Sequence, residues 1–415
     1  ISSRLPAWTA VLNQDVDLVV LWERIGGRGQ LSKGFYDLVK AIGEAKSKDE
    51  EDRIIKAEID ALKQLHGSEE AWKHPRQLLL RLIYCEMLGH PVDFGYVSAI
   101  NMTQKSRVTE KRIGYLASYL FLHPDHELLL MLVNSFRKDL KSSNHLEVCA
   151  ALTTMTKLLS VDYVPAVLPL VLPLLSHHEE VVRKKAVILI RRFWQLDHTL
   201  IDDDSVYNAM KRGLCDHDPS VVGASICLFE DLTEHSPKRF KGATATFVSI
   251  LKQIIEQRFP PSYTYQRVPA PWLQMKLLRI FAHLGRNDRE RSDYMYEIVR
   301  ETMQRAGAHS NASHAVVYEC VRTISTIFPC APLLQEAANV VSFFLYSNNN
   351  NLKYLGLNGI NLLVRVNAKY SDDHQMAIID CLESEDDTIK RKTLDLLVTI
   401  SSPENVEVIT TKMLQ

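Results

Sequence analysis

Apolar residues along this chain recur at helical spacing, and the stretches that carry them return about every 36 residues. Each stretch sets a basic or polar residue inside an apolar helical run. The clearest are TEKRIGYLASYLFL (109–122), HLEVCAALTTMTKLL (145–159), EEVVRKKAVILI (179–190), PSVVGASICLFEDL (219–232), NLKYLGLNGINLLV (351–364) and DTIKRKTLDLLVTI (387–400). Aligned on one apolar position they fall at Ile113, Val148, Val182, Val222, Leu352 and Ile389. The gaps are 35, 34 and 40 residues, then a long interval, then 37. That interval holds two further members, APWLQMKLLRIFAHLG (270–285) and SHAVVYECVRTISTIF (313–328). The period predicts stacked helical hairpins, each burying its apolar face on its neighbours.

The joints fit that reading. Pro124-Asp125, Asp216-His217-Asp218-Pro219, Asp372-Asp373 and Glu385-Asp386-Asp387 are short polar breaks between amphipathic helices, which favours antiparallel neighbours. Ser47-Lys48-Asp49-Glu50 predicts a helix start, and Gly89-His90-Pro91 a helix stop. Apolar alternation with Asn-Gly or Asp-Gly turns is missing, so almost no sheet is expected. Residues 258–271, with Pro260, Pro261, Pro269 and Pro271, predict an extended connector. Residues 1–33 stand outside the repeat and read as a poorly patterned N-terminal extension, open to disorder. The helical-repeat region runs over 34–415. The chain opens on Ile1 and stops at Gln415 with no helix-ending signal, so it reads as a fragment of a longer polypeptide.

Composition narrows the function classes. Lys plus Arg is 49 and Asp plus Glu is 50, giving a net charge of −1. No global field favours nucleic acid or a membrane, so such contacts need a local patch. Seven scattered cysteines, mostly inside apolar runs, read as buried free thiols in a reducing compartment. No apolar run is long enough to cross a membrane, and no signal peptide is evident.

Catalytic chemistry finds no foothold. Asp93-Phe94-Gly95 matches a kinase triplet, but its companion motifs are missing, and it reads as a turn with Phe94 as an inward anchor. The glycines at 26, 27 and 29 lack the Gly-Lys-Ser/Thr ending of a phosphate loop. His123, His126, His177 and His178 have no Cys-x-x-Cys or further ligand at metal-binding spacing. The expectation is a non-enzyme with no catalytic residues, cofactor or metal.

The basic clusters are the remaining candidates. Arg183, Lys184 and Lys185, and likewise Lys390, Arg391 and Lys392, could meet an acidic partner or lipid headgroups. They recur with the repeat, however. That favours an architectural role in which Glu179-Glu180 and Asp386-Asp387 pair with them or cap their helices. Lys73, Arg76 and Arg81 lie outside the repeat logic and are the better candidates for a membrane or phosphoinositide contact.

From residue 34 onward the chain resembles the adaptins, the large chains of heterotetrameric vesicle-coat adaptors. The resemblance rests on RLIYCEMLGH (81–90) followed by Asp93-Phe94-Gly95, EKRIGYLA (110–117), VPAPWLQMKLLRI (268–280), YECVRTI (318–324), NLKYLGL (351–357), IDCLE (379–383) and IKRKTLDLL (389–397). SKDEEDRII (47–55) and HELLLMLVN (126–134) are most similar to the epsilon type of the fourth adaptor complex, in a plant- or alga-like spelling. The resemblance implies an all-α, HEAT/armadillo-like α-solenoid trunk wound as a right-handed superhelix, without its C-terminal part, hinge and appendage. It implies a scaffold in intracellular, vesicle-mediated protein transport that holds a small chain and pairs with a second adaptin-type large chain and a medium chain. It further implies cytoplasmic, peripheral membrane association at the trans-Golgi network and endosomes, recruitment by an Arf-type GTPase and sorting of the cytosolic tails of transmembrane cargo, without nucleic acid. A generic helical-repeat scaffold or transport receptor is the alternative, and it predicts the period but not these phrases.

Two departures from the family pattern stand out. Alpha and gamma adaptins place an arginine after the first-helix isoleucine to help bind acidic dileucine signals, whereas Ile42 here is followed by Gly43. The alpha chain gathers lysines for phosphoinositide in the stretch matching 72–79, where only Lys73 and Arg76 are basic and Pro75 interrupts. Recruitment by the GTPase rather than by lipid is therefore expected.

Overall fold

The computed structural model describes residues 32–67, 74–201, 204–307, 310–372, 374–401 and 406–414. The chain divides after Val221 into two compact units. Among the described residues nearly everything is helix, and the strands are two of two residues each.

The first unit contains α1 (Lys33–Glu44), α2 (Lys48–His66), α3 (Pro75–Met87), α4 (Tyr96–Thr103), α5 (Val108–Phe121), α6 (Leu129–Asp139), α7 (His145–Leu158), α8 (Val164–Val171), α9 (Glu180–Leu196) and α10 (Asp204–Arg212). Helix α11 (Pro219–His235) leads into the second unit, which continues with α12 (Thr244–Ile255), α13 (Pro271–Gly285), α14 (Tyr296–Ala306), α15 (Asn311–Ile324), α16 (Ala331–Leu345), α17 (Asn350–Val366), α18 (Gln375–Asp380), α19 (Asp387–Ile400) and α20 (Val406–Leu414). Hairpins pair α4 with α5 and α6 with α7, and in the second unit α14 with α15 and α16 with α17. Odd-numbered helices stack on one another, α3–α5–α7–α9 in one unit and α13–α15–α17–α19 in the other. Even-numbered helices form the second layer, α4–α6–α8 and α12–α14. Each unit is thus a two-layer α-solenoid.

All eight repeated phrases lie on odd-numbered helices. Ile113, Val148, Val182, Val222 and Ile389 are buried, each worth ~1.5–3 kcal/mol on removal from water. Leu352 is only half-buried, and Leu357, Ile360 and Leu363 carry the core of α17 instead. The predicted boundaries hold. Ser47 caps α2 by accepting from the Glu50 amide at 3.2 Å, and the Glu50 carboxylate accepts from the Lys46 amide at 2.9 Å. Gly89 (φ +91°) closes α3, with the His90 amide donating to the Cys85 carbonyl at 3.1 Å.

Gly114 explains part of the phrase EKRIGYLA. A Cβ there would lie 2.6 Å from the Thr103 backbone nitrogen and 2.8 Å from the Met102 carbonyl carbon, so hydrogen alone lets α5 sit against α4. Two expectations need correction. Phe94 is half-buried against the His66 ring (5.7 Å between centroids), and the buried anchors of that turn are Val92 and Gly95. The proline-rich connector is a small hairpin rather than an extended link, with β1 (Thr264–Tyr265) antiparallel to β2 (Val268–Pro269). Its turn residues Gln266 and Arg267 both have left-handed backbones (φ 49° and 69°), costing about 1–2 kcal/mol each. Gln266 gives some of this back by capping α15, its side-chain oxygen accepting from the Ala312 amide at 3.0 Å.

Candidate functional site

The odd-helix face of the first unit carries most of the candidate residues. A buried cation stands on it, Lys111, at 5% exposure. Its ammonium donates to Asp139 at 2.5 Å and to Glu147 at 2.8 Å, and the Tyr115 hydroxyl donates to Asp139 at 2.7 Å. Burial alone would push the ammonium's pKa down, but the two carboxylates outweigh it and raise it. Burial and then Asp139 push the Tyr115 phenol far up, so it stays a donor. The phrase EKRIGYLA is therefore an ionic clamp between α5, α6 and α7.

The triplet on α9 splits into different roles. Arg183 donates through Nε and Nη2 to both oxygens of Asp216, at 2.7 and 2.8 Å. Its Nη1 reaches the carbonyls of His177 and His178, at 2.8 and 2.9 Å. Arg183 is thus committed within the fold, and its partner is a carboxylate one repeat on, not Glu179 or Glu180. Glu179 occupies the N-cap position of α9 without a side-chain cap bond. Lys184 is half-buried. Lys185 donates to the Thr153 hydroxyl at 2.5 Å, and burial lowers its ammonium's pKa.

On α19 the acid does cap the helix, with Asp386 accepting from the Thr388 amide at 2.8 Å. Lys390 and Lys392 are half-buried and Arg391 is exposed, and none of the three makes an ion pair among the described residues.

Of the proposed headgroup contacts, Lys73 lies outside the described residues. Arg76 is half-buried, and burial lowers its pKa. Arg81 is directed inward, donating through Nε to Glu58 of α2 at 2.5 Å. Gly43 is exposed at the end of α1 with nothing within 4 Å of where a Cβ would stand, so packing does not exclude a larger residue there.

Sequence reasoning missed a groove on this face. A cleft of 680 Å³ runs across α5, α7 and α9, lined by Leu116, Tyr119, Leu146, Ala150 and Val181, with Arg112 and Lys185 on its walls. Leu146 and Val181 are each 43% exposed, which was the available signal, because they sit two residues and one residue ahead of the buried register of their phrases.

The matching face of the second unit is ionic. Glu230 of α11 receives Lys276 and, at 3.2 Å, Arg279 of α13. Glu319 of α15 receives Arg279 at 3.2 Å and Arg322 at 3.1 Å. Both carboxylates are buried, and His283 beside them has its pKa lowered by burial in spite of Glu234 and Glu230. The phrases VPAPWLQMKLLRI and YECVRTI supply Lys276, Arg279, Glu319 and Arg322 of this ladder.

No group of three or more metal-type ligands gathers among the described residues, and no described helix is long and apolar enough to cross a membrane. Burial pushes the Cys85 thiol up to about 12, which leaves it unreactive.

A family profile described as the adaptin N terminal region matches residues 51–415. The chain is 45% identical over 390 residues to the AP-4 complex subunit epsilon of Arabidopsis thaliana, covering 94% of this chain and 41% of that protein. It is 39% identical over 389 residues to the human AP-4 complex subunit epsilon-1, covering 94% and 34%. The AP-1 complex subunit gamma of Dictyostelium discoideum is 28% identical over 387 residues, covering 92% and 43%. The chain thus spans roughly two-fifths of the length of these relatives. In fold it is similar to a homology model of the full-length AP-3 complex in an intermediate open conformation, with a TM-score of 0.52 at 18% identity, covering 81% of this chain and 56% of that one. It is comparably similar to Kap121p bound to RanGTP, at a TM-score of 0.51 and 12% identity, covering 92% and 41%. Fold alone does not separate these two.

Proposed function

The chain belongs to the adaptin family, and on that premise we propose that it is the trunk of an epsilon-type large chain in a heterotetrameric coat adaptor. The observation that carries this reading is identity of 38–45% to epsilon chains along some 94% of its length, against 28% for a gamma chain. In this reading the protein is a non-enzymatic scaffold of vesicle-mediated transport. It assembles with a second adaptin-type large chain, a medium chain and a small chain, and the assembly sits peripherally on trans-Golgi network and endosomal membranes. Residues 34–415 act as the helical-repeat trunk. An Arf-type GTPase recruits the complex, which selects the cytosolic tails of transmembrane cargo. The inward commitment of Arg81 and the half-burial of Arg76 support recruitment by the GTPase over recruitment by lipid headgroups.

Affinity purification of the tagged chain from its own cells tests both halves of the proposal. Stoichiometric recovery of the three other chains is expected; a lone stable monomer overturns the assembly. The recovered complex should then bind vesicles only when the GTPase is loaded with GTP. Equal binding to phosphoinositide vesicles without the GTPase overturns the recruitment step.

A further inference from the structure

Two serines in this chain are followed by proline, Ser236 and Ser402. They differ in what comes next. Ser402-Pro403 runs on into Glu404 and lies outside the described residues, whereas Ser236-Pro237 runs on into Lys238 and Arg239. Lys241 follows, so residues 236–241 hold three cations and no carboxylate.

The fold sets this segment out on the surface of the second unit. Helix α11 ends at His235, and a single helical turn, Pro237–Phe240, begins after Ser236. Thr233 and Phe240 anchor the two ends at 0% and 3% exposure. Between them Glu234, His235, Ser236, Lys238 and Arg239 are all exposed, and Pro237 is half-buried. The Ser236 backbone stands outside the helical well (φ −135°, ψ 64°), as a following proline requires. Its hydroxyl is not used within the fold. Ser47 and Ser310, at the starts of α2 and α15, each accept from a helix amide, at 3.2 and 3.1 Å. Ser236 makes no such capping bond and no other side-chain hydrogen bond among the described residues.

This combination is what a proline-directed protein kinase reads. Such an enzyme grips its substrate extended and encloses the residue after the acceptor. Proline has no backbone N–H, so it fills that enclosure without leaving a buried donor unpaired. A guanidinium three positions past the hydroxyl, here Arg239, makes a charge-assisted pair with carboxylates of the kinase. We propose that Ser236 is a phosphorylation site for a proline-directed kinase that also favours a basic residue downstream, with ATP as the phosphoryl donor. The Ser236 hydroxyl oxygen attacks the γ-phosphorus of ATP. The new O–P bond forms as the bond to the ADP oxygen breaks, ADP leaves, and the hydroxyl proton passes to the kinase's base. Docking opens the turn Pro237–Phe240, which holds to the core through Phe240 and is a small local unfolding beside α11 and α12. The product carries about −1.5 to −2 charges beside Lys238, Arg239 and Lys241, so a basic joint becomes nearly neutral. Lys241 is already paired with Asp288, whereas Lys238 makes no ion pair among the described residues and is free to meet the phosphate. The inference stands apart from the adaptor reading, because it rests on this segment alone.

The test incubates the full-length native protein, purified from its own cells and treated with phosphatase, with a cyclin-dependent kinase and γ-labelled ATP, and maps the label by mass spectrometry. Label is expected at Ser236. It should be lost in Ser236→Ala and fall roughly tenfold in Pro237→Ala, where one N–H enters the kinase unpaired. Ser236→Ala removes no bond, so its thermal midpoint should match the wild type, and it remains a sound control should Pro237→Ala fold poorly. The same phosphopeptide is expected from cells lysed with phosphatase inhibitors. An unlabelled Ser236, labelling only after heat denaturation, a label undiminished in a folded Pro237→Ala variant, or absence of the phosphopeptide throughout the cell cycle each overturns the proposal.

Discussion

The α5–α7–α9 face of the first unit and the α11–α13–α15 face of the second are built from the same repeated phrase, yet they settle their charges in opposite ways. In the second unit Glu230 and Glu319 gather Lys276, Arg279 and Arg322 into a continuous ladder. In the first, Lys111 and Arg183 are fully committed at depth, while Arg112 and Lys185 are left over beside exposed aliphatics. The repeat dictates where a basic residue stands on the odd helix. Whether that residue becomes mortar or stays unpaired depends on whether the adjoining repeat sends it a carboxylate. One period can therefore build a closed surface in one unit and an open one in the other.

The comparison is broken most directly at Lys111. Lys111→Met leaves Asp139, 2% exposed, without its cation, and removal of one partner from a buried pair costs about 3–5 kcal/mol. A urea titration of the first unit should show that loss, together with exchange of the Tyr115 hydroxyl's environment in near-ultraviolet spectra. A loss under ~1 kcal/mol would mean that the clamp between α5, α6 and α7 is incidental.

Arg183→Met comes next. It strips Asp216 of two hydrogen bonds and frees two carbonyls, and bonds to charged groups are worth about 1.5–3 kcal/mol. The pH dependence gives a sharper readout. Burial would raise the Asp216 carboxyl, but Arg183 and the Asp218 amide outweigh it and hold the carboxyl below its ordinary 3.8. A carboxylate depressed in the folded state contributes stability that is complete above the ordinary value and is lost as pH falls through the lower, folded one. The wild-type chain should accordingly lose this contribution only below about pH 4, and the variant should show a shallower loss there. Identical acid limbs would detach Asp216 from Arg183.

Much of the architecture was legible because local physics writes it into neighbouring residues. The phrases mark the odd helices, and the caps at Ser47 and Asp386 and the stop at Gly89 stand where short-range hydrogen bonding requires them. The failures share a cause. Asp216 lies 33 residues from Arg183, so the adjacent Glu179-Glu180 looked the better partner until the stack was folded. The groove belongs to three helices and to no one phrase, and it shows in sequence only as apolar residues one or two positions out of register. The 258–271 hairpin was hidden because Gln266, Arg267 and Ala270 adopt left-handed backbones without a glycine to announce them. Leu352 marks the limit of alignment by period: α17 packs on α16 through Gly356 against Leu345 and Gly359 against Val341.

The smallest expected effect sharpens the comparison most. Glu319→Gln keeps a hydrogen-bond acceptor but removes the charge that Arg279 and Arg322 share. Both arginines are partly hydrated, at 42% and 48% exposure, so water replaces much of what is lost. The cost should be about 1 kcal/mol in a urea titration of the second unit, with the recovery of partner chains unchanged. A ladder that is mortar behaves in this way: stability moves and binding does not. The opposite pattern, unchanged stability with lost partners, would make the ladder a contact surface. Charge compensation inside the chain would then no longer distinguish the two faces.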